Sequence, residues 1–155
     1  MEREDSMGRL DIVTQPLPAS AIATLIDGVD HRQRNPQATT VAGVALDSMG
    51  GAINRVAADA TAFVHRSALC IAQYNATWPT GAPAAVVRSN VEGLDSLYAA
   101  MRPHASGFAY QNYIDATLPD WQNAYFGTNL QRLISVKARR DPSNFFHFAQ
   151  SIPVA

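Results

Sequence analysis

The sequence predicts an α+β fold in which an antiparallel sheet carries helices packed on one side. Two observations lead to this prediction: stretches in which apolar residues alternate, and stretches in which apolar residues recur at helical spacing. The two kinds of stretch are interleaved along the chain. Its 155 residues are enough for one domain with a real hydrophobic core.

The N-terminal region is predicted to be irregular and then helical. Residues 1–15 are expected to be disordered or irregular, because the first ten or so are charged and follow no pattern. Pro16-Leu17-Pro18 is predicted to be extended and to lead into a helix, which Ser20 is placed to cap. Asn35-Pro36 ends that helix, whose apolar residues are Ile22, Leu25, Ile26 and Val29.

Strands are predicted in the middle of the chain. Residues 40–48 alternate into a strand, Gly50-Gly51 makes a tight turn or bulge, and residues 52–56 resume as strand. A phosphate-cradling role for the glycine pair is the weaker alternative, because the rest of a GxGxxG or P-loop pattern is missing. A longer strand is predicted from about Ala62 to Trp78, with Leu69, Ile71, Gln73 and Asn75 on one face and Cys70, Ala72, Tyr74, Ala76 and Trp78 on the other.

Two further helices are predicted. Ser89-Asn90-Val91-Glu92 has the form of a capping box, and Pro103 ends the helix that it begins. The last helix ends at Asp141-Pro142. Its apolar face carries Leu130, Leu133 and Ile134, with Lys137 one turn further on.

Composition excludes several classes of function. A formal net charge of −1 with 16% charged residues gives no electrostatic case for binding nucleic acid or a membrane surface. No apolar run has the length of a transmembrane helix, and the N-terminus lacks the apolar core of a signal peptide. A single cysteine, Cys70, excludes an internal disulfide, so a cytoplasmic location is expected. No HExxH or CxxC spacing is present, and no metal site is predicted.

The segment from Phe108 to Ile152 is rich in aromatic residues. It opens with Tyr110-Gln111-Asn112-Tyr113, a cluster of phenol and amide groups that is too polar for an ordinary core strand. Two interpretations are open: a lid or clamp over a planar ligand, and a C-terminal helical hairpin that closes a core. Periodicity alone favours the hairpin.

This segment contains a longer series of motif residues at fixed spacings, and the series continues upstream of it. Its members are Tyr110-x-Asn112-Tyr113, Trp121, Tyr125-Phe126-Gly127-x-Asn129-x-x-Arg132-Leu133-x-x-Val136-Lys137, Asp141-Pro142-x-Asn144-x-Phe146 and Gln150-Ser151-Ile152. Upstream members are Leu46-Asp47, residues 50–56, Ala62-Phe63-x-His65-Arg66, and Gln73-Tyr74 followed by Trp78. Together they resemble the berberine bridge enzyme-like family, FAD-linked oxidases related to the vanillyl-alcohol oxidase group. The resemblance covers roughly residues 16–153.

The resemblance implies an organisation and a function. Residues 16–105 would be part of a substrate-binding domain, and residues 106–155 a helical tail that packs on an FAD domain absent from this chain. The chain would be the C-terminal portion or subunit of an FAD-dependent oxidoreductase, which oxidises an alcohol or sugar-type hydroxyl by hydride transfer to flavin N5. The alternative is a catalytically inactive, truncated remnant that acts only as a fold or interaction module.

Partners and cofactor retention follow from the same resemblance. The family's glycine-rich pyrophosphate segment and its covalent flavin attachment have no counterpart in this sequence. FAD is therefore not expected to be retained by this chain alone. A separate FAD-binding chain, or self-association, is expected to complete it, with a small molecule as substrate.

The resemblance also implies site residues. Tyr110 and Tyr113 are the candidate catalytic bases, with Tyr110 preferred, and both lie with Asn112 beside the flavin ring. A phenol has a reference pKa of about 10, so it needs a polar partner or a positive charge nearby to act as a base. Asp47 and Gln73 are expected to face the substrate from the sheet.

Each candidate also has an ordinary structural interpretation. Tyr110 and Tyr113 could be interface aromatics with satisfied hydroxyls. Asp47 could be a turn carboxylate, whereas Gln73 lies on an apolar face, where an amide needs partners. His65 is interpreted as structural, because no nucleophile motif accompanies it.

Overall fold

The computed structural model describes residues 3–35 and 41–154 and confirms the α+β architecture. An antiparallel sheet has the strand order β1-β3-β2, in which β3 is central. The strands are β1 (Glu4–Val13), β2 (Ala42–Ser48) and β3 (Cys70–Pro79). The helices are α1 (Ala19–Arg34), α2 (Ala84–Met101), α3 (Trp121–Phe126) and α4 (Leu130–Arg140). Short 3-10 turns occupy Ile53–Arg55, Arg102–His104 and Gly127–Asn129.

The first strand corrects the prediction that residues 1–15 are irregular. Glu4–Val13 pairs with β3 along its whole length, from Glu4 opposite Pro79 to Val13 opposite Cys70. The alternation was hidden because Arg9 and Asp11 are buried although both are charged. Each has an ion-pair partner in the folded protein. Because one buried face of the strand carries charged residues, its sequence shows no alternation of apolar and polar residues.

Three boundaries in the middle of the chain also differ from prediction. Residues 53–55 form a 3-10 turn instead of a strand, because Gly50 and Gly51, with φ of +145° and +55°, turn the chain before it. The third strand begins at Cys70 and not near residue 62. The second helix begins at Ala84, directly after Pro83, rather than at the predicted capping box. Asn90 of that box donates to the Val86 carbonyl inside the helix, at 2.8 Å.

Other predicted boundaries hold. The first helix ends at Arg34 with Asn35 as its C-cap, and the last helix ends at Arg140, one residue before Asp141. The predicted capping role of Ser20 is wrong, because Ser20 lies within α1, whose N-cap is Pro18. The predicted positions 36 and 40 lie outside the described residues.

The sheet has two differently covered faces, as the alternation in β3 predicts. The helices α1 and α2 cover the face that carries Ala72, Tyr74, Ala76 and Trp78. We call the opposite face the open face. One end of it, formed by Leu10, Ile12 and Ile71, packs against Leu118, Tyr125 and Phe126 of the C-terminal segment. The rest of it presents polar side chains.

The C-terminal segment is attached to the edge of β1. The Ile12 amide donates to the Phe108 carbonyl at 3.2 Å, and the Ser106 amide donates to the Ile12 carbonyl at 2.9 Å. Whether the segment also packs on an FAD domain stays a prediction. Within residues 3–35 and 41–154, none of the helices combines the length and apolar character needed to span a bilayer.

Candidate functional site

The Tyr110–Asn112 contact is the centre of the candidate site. The Tyr113 amide donates to the Tyr110 carbonyl at 3.0 Å, which closes a tight turn. Within this turn the Asn112 amide nitrogen donates to the Tyr110 phenol oxygen at 2.8 Å. A donor aimed at this oxygen stabilises the negative charge that forms when the phenol loses its proton. The geometry is thus compatible with proton transfer at Tyr110.

The two tyrosines of the turn differ in how they are held. The ring of Tyr110 meets Phe63 edge-on with centroids 5.7 Å apart, and it packs against the core cluster on the open face. Tyr113 contacts Tyr110 at 5.8 Å but leaves 47% of its surface exposed. Tyr110 therefore has the more fixed position, whereas Tyr113 is available to contact a ligand.

Asp47 and Gln73 form a second polar group on the open face. The Gln73 amide nitrogen donates to the Asp47 carboxylate across the β2–β3 pair, where Ala45 lies opposite Gln73. Asp47 is exposed and Gln73 half-buried. Two joined polar side chains with unused oxygen and N–H groups can bind a hydroxyl-bearing molecule.

The structure brings both groups to the same face of the sheet. Tyr110 packs on the cluster that contains Leu10 and Ile71, and these residues lie opposite Gln73 and Asp47 in the sheet register. Asp47 and the phenol of Tyr110 are not bonded to each other. Asp47 is bonded to Gln73, and the phenol of Tyr110 is bonded to Asn112.

Asp115 fixes the downstream end of the Tyr110–Tyr113 turn. Its carboxylate accepts a hydrogen bond from Arg9 Nη1 at 2.7 Å and from the Thr117 amide at 2.9 Å. Its backbone N–H donates to the Tyr125 hydroxyl at 3.0 Å, and its carbonyl accepts from Gln150 Nε2 at 2.8 Å. The upstream end is held by the Ala109 amide, which donates to the Ala124 carbonyl at 3.0 Å.

The Arg9–Asp115 pair was not predicted from the sequence. Arg9 lies in the strand that was predicted to be irregular, and its partner is distant in the chain. The one available signal was Asp115 itself, an acidic residue two positions after Tyr113, between the apolar residues Ile114 and Ala116. Buried carboxylates need a partner, so the residue invited a search for a cation.

His65 has the structural surroundings expected of it, and Cys70 is an unreactive thiol. His65 is buried between Phe63 and Phe108, with ring centroids 5.4 Å away in both cases, and burial lowers its pKa. Its Nε2 has no hydrogen-bond partner in the described parts of the chain. Burial, with a smaller contribution from Asp47, raises the pKa of the Cys70 thiol and keeps it protonated.

The described residues fit one edge of a flavin and not its pyrophosphate. The phenols and amides of the turn provide aromatic and hydrogen-bonding contacts for a polar planar ring. Gly50 and Gly51 lie in the turn after β2, with the Ile53 amide donating to the Gly50 carbonyl. They form a strand exit and not an array of amides facing an anion. Among residues 3–35 and 41–154 no group of His, Cys, Asp or Glu is arranged to hold a metal ion.

Comparison with known proteins gives consistent similarities. Residues 109–153 match the family described as berberine and berberine like. The chain is 33% identical over 141 residues to the FAD-linked oxidoreductase YgaK of Bacillus subtilis (strain 168), which covers 91% of this chain and 29% of YgaK. Berberine bridge enzyme-like protein 28 from Arabidopsis thaliana has a similar structure, with a TM-score of 0.86 and 30% identity over 98% of this chain and 34% of that one.

A glycopeptide hexose oxidase, solved in complex with teicoplanin, is a further structural neighbour. The TM-score is 0.77 and the identity 26%, over 96% of this chain and 32% of the neighbour. The chain thus spans about a third of the length of the relatives that it matches.

Proposed function

Because this chain is a berberine bridge enzyme-like region of the FAD-linked oxidase type, we propose that it is the C-terminal portion or subunit of an FAD-dependent oxidoreductase. The proposed substrate is an alcohol or a sugar-type hydroxyl, which is oxidised to the carbonyl. Similarity to a hexose oxidase supports the sugar-type substrate. The observation that carries the proposal is the Tyr110–Asn112 contact on the same face as the Asp47–Gln73 pair.

In this proposal Tyr110 takes the proton of the substrate hydroxyl. Asn112 Nδ2, 2.8 Å from the phenol oxygen, stabilises the charge that Tyr110 acquires. Phe63 holds the ring at its edge and limits the positions of the oxygen. FAD, when bound, supplies the hydride acceptor at flavin N5. Tyr113, exposed at the end of the turn, contacts the flavin ring or the substrate.

Asp47 and Gln73 orient the substrate. The carboxylate of Asp47 accepts a hydrogen bond from a substrate hydroxyl, and the bond from Gln73 Nε2 fixes its rotamer. The carbonyl oxygen of Gln73 offers a second acceptor. Two acceptors side by side favour a substrate with neighbouring hydroxyl groups, as a sugar has.

A separate FAD-binding chain is the proposed partner, and the phenylalanine surface is the proposed contact. This surface consists of Phe145, Phe146 and Phe148, which expose 76%, 74% and 56% of their area. It is held rigidly, because the Asp141 carboxylate accepts from the Phe145 and Phe146 amides and Lys137 bonds Asp141 and the Phe146 carbonyl. Apolar side chains presented on a fixed loop are typical of a docking surface.

Anaerobic flavin reduction in a reconstituted complex tests the proposal. We expect Tyr110→Phe to slow flavin reduction about a hundredfold or more, the usual scale for a lost general base. Tyr113→Phe tests the other candidate base, and Tyr98→Phe is a control because Tyr98 packs on the helix-covered face. Wild-type rates in both turn variants and in the double variant would contradict the assignment of the base. A complex that reduces no flavin with any sugar or alcohol would favour an interaction module.

A further inference from the structure

Gln150 closes a ring of hydrogen bonds with Asp115 and Tyr125. The Asp115 amide donates to the Tyr125 hydroxyl at 3.0 Å, and this hydroxyl donates to Gln150 Oε1 at 3.2 Å. Gln150 Nε2 then donates to the Asp115 carbonyl at 2.8 Å. Because a backbone carbonyl can only accept, the side-chain amide of Gln150 fits here in one orientation. Gln150 is thus connected to both backbone polar groups of Asp115, directly to one and through Tyr125 to the other.

The ring is shielded from water. Tyr125 is fully buried, and Gln150 and Asp115 expose only 6% and 8% of their surface. A polar group in such surroundings has no water to replace a lost partner. Loss of the Gln150 amide would leave the Tyr125 hydroxyl without its acceptor. Within the described parts of the chain, it would also leave the Asp115 carbonyl with only the local bond from the Leu118 amide.

Gln150 is itself held in place on its C-terminal side. The Ser151 amide donates to the Phe148 carbonyl at 3.0 Å, which forms a turn around Gln150. Ile152, two residues further on, packs against the core cluster on the open face. Asp115 and Gln150 are 35 positions apart, so their bond joins the tail of the chain to the segment that carries the Tyr110–Tyr113 turn.

The position of Asp115 bears on the position of Tyr110. Only five residues, 110–114, separate Ala109 from Asp115, and both of these residues are bonded to other parts of the fold. The bond from the Tyr113 amide to the Tyr110 carbonyl lies between them. A displacement at Asp115 is therefore passed on to a short, closed turn. Reacting groups need to be held within about 0.5 Å of their productive positions by supporting bonds of this kind.

We propose that Gln150 is a positioning residue for the oxidation, because it fixes the backbone of Asp115 and thereby the place of the Tyr110 phenol oxygen. This inference rests on the proposed role of Tyr110 as the base. Gln150 exchanges no proton with the substrate and acts only through the turn. Asp47 and Gln73, which orient the substrate in the proposed function, lie on the sheet and bond each other. Loss of Gln150 should therefore slow the reaction and leave substrate affinity almost unchanged.

Rapid measurement of flavin reduction in the reconstituted complex tests the proposal. Gln150→Met keeps most of the volume of the side chain and removes its amide. We expect the limiting rate constant to fall about tenfold or more, with the half-saturating substrate concentration changed by less than about twofold. A protein that is merely less stable would reduce less of its flavin at an unchanged rate constant. Tyr125→Phe opens the same ring, keeps the packing of the aromatic ring, and should give the same pattern.

Asn90→Leu is the matched control. Asn90 is also a buried amide, 1% exposed, and it donates to a backbone carbonyl, that of Val86, at 2.8 Å. It lies in α2 and has no part in the turn. Both kinetic values should therefore stay at the wild-type level. Equal slowing by Asn90→Leu would overturn the proposal. So would wild-type rate constants in both ring variants of a complex in which Tyr110→Phe is slow.

Fluorine NMR of the whole chain tests the position of Tyr110 without flavin. Incorporated 3-fluorotyrosine labels all five tyrosines, and Tyr110→Phe identifies the signal of Tyr110. We expect Gln150→Met to shift or broaden this signal, while Tyr74 and Tyr98 on the helix-covered face keep theirs. An unchanged Tyr110 signal would overturn the proposal. A shifted signal, in a protein whose Tyr110→Phe variant reduces flavin at the wild-type rate, would support the hold of Gln150 on the turn and contradict only the role of Tyr110 as the base.

Discussion

Arg9 reaches from β1 to the carboxylate of Asp115, with Nη1 2.7 Å from Oδ1, and both residues are only 8% exposed. The contact joins the sheet to the segment that carries the Tyr110–Tyr113 turn. Arg9 also bonds Asp95 of α2, so one guanidinium holds three parts of the fold together. Two charges removed from water in this way stabilise the fold only while both are present.

Removing Arg9 should therefore destabilise the protein strongly. We expect Arg9→Met to lower the free energy of unfolding by about 3 kcal/mol or more, because Asp115 is left as a buried charge without its cation. Urea denaturation followed by circular dichroism measures the change. The control is Arg34→Met, which breaks an exposed pair with Asp30 and should change stability by less than about 1 kcal/mol. Equal effects of the two variants would contradict the role of burial.

Asp11 should make stability depend on pH in an unusual direction. Burial raises its pKa from 3.8 to about 6, against the opposing effect of Arg102. A folded-state pKa above the unfolded value means that the folded protein holds the proton more tightly. The contribution of this group to stability is therefore fully present below about pH 4 and is lost as the pH rises through about 6.

The variant Asp11→Asn isolates this contribution. Burial lowers the pKa of His65, so the stability that His65 contributes falls as the pH drops. The free energy of unfolding of the wild type therefore combines two opposite dependences on pH, one from Asp11 and one from His65. We expect the stability of the wild type to fall relative to Asp11→Asn between pH 4 and pH 6.5. Unfolding free energies of both proteins across this range measure the difference. A difference that does not change with pH would show that Asp11 does not titrate there.

The purified chain alone should bind FAD only weakly. The Tyr110–Tyr113 turn can contact one edge of the ring, and a single aromatic contact contributes about 1 kcal/mol. Most of the affinity for such a cofactor requires amides directed at the pyrophosphate, and Gly50-Gly51 forms a turn instead. Titration of FAD fluorescence against the chain measures the affinity. Micromolar binding would mean that the chain holds a pocket of its own for the cofactor.

The phenylalanine surface should bind apolar dyes and the FAD-binding partner. We expect Phe145→Ser/Phe146→Ser to reduce the fluorescence of an apolar dye on the isolated chain and to weaken capture by that partner. Stability should change little, because both rings are mostly exposed. The matched control is Val136→Ser, which removes an exposed apolar residue from α4. Dye binding that is unaffected by the phenylalanine variant would place the apolar surface elsewhere.

The sequence predicted elements whose pattern is local. Alternation in β2 and β3 and the helical spacing of α4 are each visible within one short stretch of sequence, and these elements were identified, although β3 begins later than predicted. β1 was missed because Arg9 and Asp11 are buried by virtue of partners far along the chain. The start of α2 was placed too late because Pro83 and not the capping box sets it.

In the candidate site, too, only contacts between residues close in the sequence could be predicted from a local pattern. The Tyr110–Asn112 contact links residues two positions apart, and a short motif can encode it. The Asp47–Gln73 bond depends on the register of β2 against β3, which follows from the two predicted strands only once their pairing is known. The Arg9–Asp115 pair joins residues 106 positions apart, so no local sequence pattern predicts it.

The turn that carries Tyr110 is held at both ends by bonds that do not involve the side chains between them. Ala109 is fixed through its amide, and Asp115 through its carboxylate, its amide and its carbonyl. Ile114, 48% exposed, can accordingly be varied without loosening either end. Such a position is a suitable starting point for a small mutant library, in which the surface beside the turn can be varied with little loss of stability.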